Sequence, residues 1–157
     1  MQNDENAIPP PVVHQGQALG GQAFEFLNGA FHLKVSGKDS FGAACIYDTL
    51  RSEPGGPPLH VHAAQDEWFY VTEGAFDIRV GDTVHHLGPG DSVLGPRGVP
   101  HAFRNTSQTG RIVVAFFPAG SMESFFHEGS ALSPLTPASF AELSKRHGMT
   151  VVGPPLG

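Results

Sequence analysis

GGPPLHVHAAQDEWFYVTEG (residues 55–74) and GDSVLGPRGVPHAFRN (residues 90–105) decide how this chain is read. The first stretch carries His60, His62 and Glu67, and the second carries His101. Side chains alternate along an extended strand, so His60 and His62 share one face. A short turn at Ala63–Asp66 can return Glu67 toward the same point from the next strand. His101 follows Gly98-Val99-Pro100, a bend that can aim it there as a non-local fourth donor. Three imidazoles and one carboxylate suit a divalent first-row metal that keeps open positions. Fe, Mn, Ni, Co, Cu and Zn all remain candidates on ligand type alone.

Outward from these stretches, the chain reads as short strands cut by turns. FEFL, AFHLKVS and AACIYDTL precede the first stretch, with Gly37-Lys38-Asp39-Ser40 as a turn between the last two. Glu67–Thr72 is rich in β-formers. Ala75–Val80 alternates Phe76, Ile78 and Val80 with Asp77 and Arg79, the mark of a half-buried strand. Gly81-Asp82 and Gly88–Asp91 are turns, and Arg111–Phe117 is the most apolar strand. The 20 Gly and 14 Pro that punctuate these runs favour an all-β sandwich or barrel over a helical bundle.

After Pro118 the pattern turns helical. Ser121 is expected to cap a short helix through about His127, with Glu123 in its first turn. Thr136-Pro137 supplies an N-cap with Pro at the first helical position, and Gly148 ends the helix Ala138–His147. Phe140 and Leu143 form its apolar stripe. The expected organisation is a loose arm over 1–20, a barrel over 21–120 and a helical extension over 121–157 that packs on it.

The 157 residues suffice for one domain with a core of its own. Nine basic against 15 acidic residues, a formal charge of -6, disfavour nucleic acid and anionic membrane as partners. The single cysteine, Cys45, excludes an intrachain disulfide and lies in an apolar run, as a buried inert thiol would. No Lys or Arg precedes Lys34, and no apolar run reaches spanning length, so the expectation is a soluble cytoplasmic protein.

The two stretches resemble the paired motifs of the cupin superfamily. His60, His62, Glu67 and Gly74 fit the first motif, with the leading glycine (Gly55) one residue closer than usual. Gly90, Pro96, Gly98, His101 and Asn105 fit the second in full. The resemblance covers roughly residues 40–118. It implies a small double-stranded β-helix, the cupin jelly-roll barrel, followed here by short C-terminal helices, with His60, His62, Glu67 and His101 lining the interior around one divalent transition metal. The chain also resembles quercetin-dioxygenase-like single-domain cupins through PASFAELSKRHGMTVVGPPL (137–156) and Phe125-Phe126. That implies cleavage of an aromatic or enol substrate with O2, with Glu67 as ligand and possible base. A non-redox isomerase or decarboxylase and a non-catalytic small-molecule-binding protein are the alternatives.

Phe69 and Val71 share the face of Glu67 and are expected, with Phe103 and Phe116, to form an apolar pocket wall. Trp68 and Tyr70 face the other way. Their cover is either packing within the chain, for instance under the N-terminal segment, or a second subunit in a homodimer. Phe116-Phe117 and Phe125-Phe126 pack in the core or stack a planar substrate. His85 and His86 face opposite sides and read as surface or hairpin residues; His14, His32, His127 and His147 read as solvent-facing or cap residues. Asn105 and the backbone of the Gly90–Gly98 loop are candidates to support the metal-binding histidines. Lys34, Arg51, Arg79 and Arg104 are the cations that could meet an acidic substrate, with nothing in the sequence to choose among them.

Overall fold

The structure is a computed structural model that describes residues 11–157. Its strands are β1 (Phe24–Phe26), β2 (Gly29–Val35), β3 (Cys45–Arg51), β4 (Pro58–His62), β5 (Asp66–Glu73), β6 (Phe76–Val80), β7 (Thr83–Leu87), β8 (Ser92–Gly95), β9 (His101–Asn105) and β10 (Gly110–Phe117). Helices α1 (Met122–Ala131) and α2 (Pro137–Arg146) follow, and β11 (Met149–Pro155) ends the order. The strands form two sheets, β1-β2-β3-β10-β5-β8 and β11-β4-β9-β6-β7, joined antiparallel throughout. This is the expected all-β jelly roll with short C-terminal helices.

The period-two alternation of the sequence sets the inner face. On β3, Cys45, Tyr47, Thr49 and Arg51 are buried; on β5, Glu67, Phe69 and Val71 are. On β10, Ile112, Val114 and Phe116 are buried on the face that Cys45, Tyr47 and Thr49 of β3 share. Because β10 pairs with both β3 and β5, its apolar run lies mid-sheet, and Phe116 stands opposite Glu67 in register. Gly74 turns β5 into β6 with φ +77°. A Cβ there would meet Ser107 Oγ at 2.5 Å and the Thr109 carbonyl at 2.6 Å, so this motif glycine is required by both conformation and space.

The expected arm over 1–20 lies outside the described residues for 1–10. Residues 14–19 lie against β2: Leu19 N–H donates to the Leu33 carbonyl at 2.8 Å, and Lys34 Nζ donates to the carbonyls of His14 and Gln17 at 2.9 and 2.8 Å. Trp68 and Tyr70 sit half-buried on the outer face of β5, stacked on one another with centroids 5.4 Å apart and planes 6° apart.

α1 departs from expectation. It runs one turn beyond His127 to Ala131, and the Ser121 side chain makes no capping bond. Met122, Phe125, Phe126 and Gly129 form its buried stripe. Gly129 lets α1 pack tightly against β1: a Cβ there would lie 2.5 Å from the Phe26 ring. His127 is therefore an exposed mid-helix residue beside Phe24 rather than a C-terminal one. α2 follows its sequence signals. Thr136 Oγ1 accepts from the Ser139 N–H at 3.1 Å, and Ser139 Oγ accepts in turn from the Thr136 N–H at 2.9 Å.

The aromatic side chains of α1 and α2 interlock with those of β1–β3. Phe126 lies 4.9 Å from Phe31 and 4.8 Å from Tyr47, centroid to centroid, and Phe26 packs edge-on to Phe125 at 5.8 Å. Each such pair contributes about 0.5–1.5 kcal/mol beyond the burial of its area. The end of the chain, expected within the helical extension over 121–157, carries an edge strand instead: β11 pairs with β4, setting Met149 opposite His62 and Val151 opposite His60. The C-terminal segment thus braces the strand that carries two of the candidate ligands.

Candidate metal centre

His60 and His62 project inward from β4, His101 from β9, and Glu67 from β5 of the facing sheet. His60 and His101 are direct partners across the β4–β9 ladder, with ring centroids 4.7 Å apart. One donor atom from each of the four lies within 4.8 Å of the others, and all four residues are buried. Glu67 Oε2 is the focus: it stands 2.7 Å from His101 Nε2, 3.0 Å from His62 Nε2 and 3.9 Å from His60 Nε2. No other group of this kind occurs among the described residues.

The tautomers test whether a cation fits. His60 Nδ1–H donates to the Pro58 carbonyl at 2.7 Å, and His101 Nδ1–H donates to the Val99 carbonyl at 3.1 Å. With its proton on Nδ1, a neutral imidazole presents a bare lone pair at Nε2. Two such lone pairs then face a carboxylate oxygen across a buried space. Acceptor against acceptor is repulsive unless a proton or a metal ion lies between them. The donor set and its orientation therefore fit a divalent metal. The supporting bonds come from Pro58 and Val99, not from Asn105. Asn105 is wholly buried but turned away: its Nδ2 donates to the Glu53 carbonyl at 3.1 Å, and its Oδ1 accepts from Ser107 Oγ at 2.9 Å. This motif residue holds the loop ahead of β4 and the turn after β9.

Burial raises the Glu67 pKa, but the three imidazoles outweigh it and hold the carboxyl well below the usual range. Burial lowers His101, and the contact with Glu67 overcomes this to leave it raised. At His62 burial prevails and the pKa is lowered. The ligand loop is further tied down by Arg97, whose backbone and guanidinium both bond Asp66 beside Glu67.

Beside the quartet lies a cavity of about 40 Å³. His60, His62 and Glu67 form its polar side. Phe103 and Phe116 line it as expected, whereas Phe69 and Val71 are not among its lining residues and lie in the core, Phe69 edge-on to the His101 ring at 5.7 Å. Sharing a face with Glu67 places them inward, but not at the depth of the cavity. Much of the remaining wall comes from Phe125 and Phe126 of α1 and from residues the sequence reading did not assign there, among them Phe26 and Phe31, Met122 of α1, Phe140 of α2 and Met149 of β11. Phe125 and Phe126 pack in the core, the first of the two roles weighed for them, and also line the cavity. The amphipathic stripes of α1 and α2 were the signal available for Met122 and Phe140.

The other histidines stay outside. His86 Nδ1 contacts Asp77 Oδ1 at 2.5 Å on the surface, and His147 caps α2 between Ser121 Oγ and Glu128. Of the four cations weighed, Lys34, Arg79 and Arg104 make surface contacts, and Arg51 alone lines the cavity.

Residues 49–117 match the family described as Cupin domain. Protein SchB of Streptomyces halstedii is 45% identical over 47 residues; that alignment spans 30% of this chain and only 34% of SchB. KdgF from Halomonas sp. superposes with a TM-score of 0.57 at 15% identity, covering 67% of this chain and 94% of its own. The polyketide cyclase RemF from Streptomyces resistomycificus superposes with a TM-score of 0.57 at 24% identity, covering 68% of this chain and 78% of its own. No described helix is long and apolar enough to cross a membrane.

Proposed function

We propose, on the match of residues 49–117 to the family described as Cupin domain, that the chain is a metal-dependent dioxygenase cleaving an aromatic or enol substrate. The observation that carries the reading is the convergence of four buried donors beside a largely aromatic cavity that three of them, His60, His62 and Glu67, line. His60, His62, Glu67 and His101 would hold one divalent transition metal. Such an ion supplies Lewis acidity and, where it is redox-active, a place for O2 to react. The aromatic walls of the cavity would exclude water and stack against a planar ring.

Glu67 has a second role in this proposal: it accepts the substrate hydroxyl proton at its carboxylate. The proton it takes would be that of an enol or phenol hydroxyl, which is more acidic than an aliphatic alcohol. Ring-sized substrates occupy sites of roughly 300 Å³ or more, against about 40 Å³ here. Their admission requires the side chains of α1 and α2 at the cavity to move.

Oxygen uptake by metal-loaded protein with flavonols and 1,3-diketones tests the proposal. Uptake that follows metal content supports it. Turnover that persists without O2 replaces it with a non-redox reaction, and retention of the compound without turnover replaces it with a binding function. Glu67→Gln should lose turnover per bound metal; unchanged turnover in that variant ends the base role.

A further inference from the structure

Arg51 is the buried charge that none of the chemistry above uses. It closes β3, is 0% exposed, and lines the same cavity as His60, His62 and Glu67. Nη2 donates to the Leu27 carbonyl, and the guanidinium carbon lies 5.5 Å from the Phe103 ring centroid. Nε and Nη1 have no hydrogen-bond partner, and Glu25 and Glu53 act on the group only through space. Two residues earlier on the same face, Thr49 Oγ1 is also buried without a partner.

A buried cation with unused donors is costly, and proteins normally pair it. The surroundings are built to hold it nonetheless. Gly29, opposite Arg51 in register, leaves the space that Nη1 fills; a Cβ there would collide with it. Burial lowers the pKa only to about 10, so the group stays charged at neutral pH. A structural arginine needs its carbonyl bond and its aromatic neighbour. It does not need to leave Nε and Nη1 without partners in a side chain that lines the same cavity as His60, His62 and Glu67.

We propose that Arg51 is a substrate-binding residue whose free N–H groups receive a carboxylate, so that the substrate is an organic anion. This rests on the cavity being the substrate site. The substrate class narrows accordingly, to aromatic or enolic compounds bearing a carboxylate, seated between Arg51 and the quartet.

The test compares benzoate with its neutral isostere benzamide, and acetate with acetamide as a smaller pair, on the metal-loaded full chain. The wild type should bind each anion at least about tenfold tighter than its amide, since a charge-assisted hydrogen bond is roughly twice as strong as a neutral one. Arg51→Met should bring the ratio to near unity, and Arg51→Lys should restore part of it. An Arg51→Met protein that keeps the wild-type ratio overturns the proposal. Should that variant fail to fold, the wild-type 15Nε–1H signal of Arg51 decides: a shift with benzoate and none with benzamide supports the assignment, and no shift with either overturns it. Repeating the comparison on chelator-treated protein separates the two readings. Anion preference that survives metal removal stands even if the dioxygenase reading falls. Oxygen uptake without anion preference leaves that reading intact and removes this one.

Discussion

Removing one imidazole from the quartet has a consequence that can be worked out beforehand. At a free metal concentration of 100 times Kd, binding stabilises the folded state by about 2.7 kcal/mol. In a chain of 157 residues, each kcal/mol moves Tm by roughly 2–4 °C, so the metal should raise wild-type Tm by about 5–11 °C. His101→Gln keeps a polar side chain of similar volume but removes the Nε2 that lies 2.7 Å from Glu67. Loss of even an outer-shell partner costs 10–100-fold in affinity, so a lost ligand should cost about 100-fold or more. The same metal concentration then sits near or below the variant's Kd. The stabilisation falls to at most about 0.4 kcal/mol and the shift to about 1–2 °C. Differential scanning fluorimetry of both proteins, with chelator and with metal, reads the difference directly. Equal metal-induced shifts in the two proteins would refute the assignment of His101 as a ligand.

Three more outcomes follow from the same structure. Phe126, packed against Phe31, Tyr47, Phe116 and Phe125, should cost about 3–5 kcal/mol on replacement by Ala; a loss below about 1 kcal/mol in denaturant titration would mean that α1 is not fixed by this cluster. Cys45 is wholly buried and its thiol is pushed up to about 12, chiefly by burial, so native protein should resist iodoacetamide at pH 8 and react only once unfolded. Metal affinity should fall as pH drops through the raised pKa of His101, by up to about tenfold per pH unit, because the ion must displace a proton that Glu67 helps to hold; titrations that give one Kd from pH 8 to 5 would contradict this.

The quartet and the barrel were legible because their signals are local and periodic. His60 and His62 alternate within one strand, and the Gly and Pro positions around them specify turns that only a few backbones satisfy. What was not legible depends on depth and on long-range pairing. Phe69 and Phe103 both face inward, yet only Phe103 reaches the cavity, and alternation does not encode position along a strand. Arg51 could not be told from Lys34, Arg79 and Arg104 in the sequence, since charged residues are rarely buried, and the glycine that makes room for it lies on another strand. β11 was hidden because Gly153, Pro154 and Pro155 argue against a strand interior; they are tolerated at the outer edge of a sheet. Asn105 fits its motif, but only the fold reveals that it binds the Glu53 carbonyl rather than a histidine.

X-ray absorption at the metal edge, on protein purified without added metal, tests the central claim most directly. The account predicts a single bound divalent transition metal per chain, with scattering from three imidazoles and one carboxylate oxygen, and loss of that pattern in His62→Ala. A protein that carries no transition metal and takes none up, or whose metal is surrounded by fewer than three imidazoles, would contradict it.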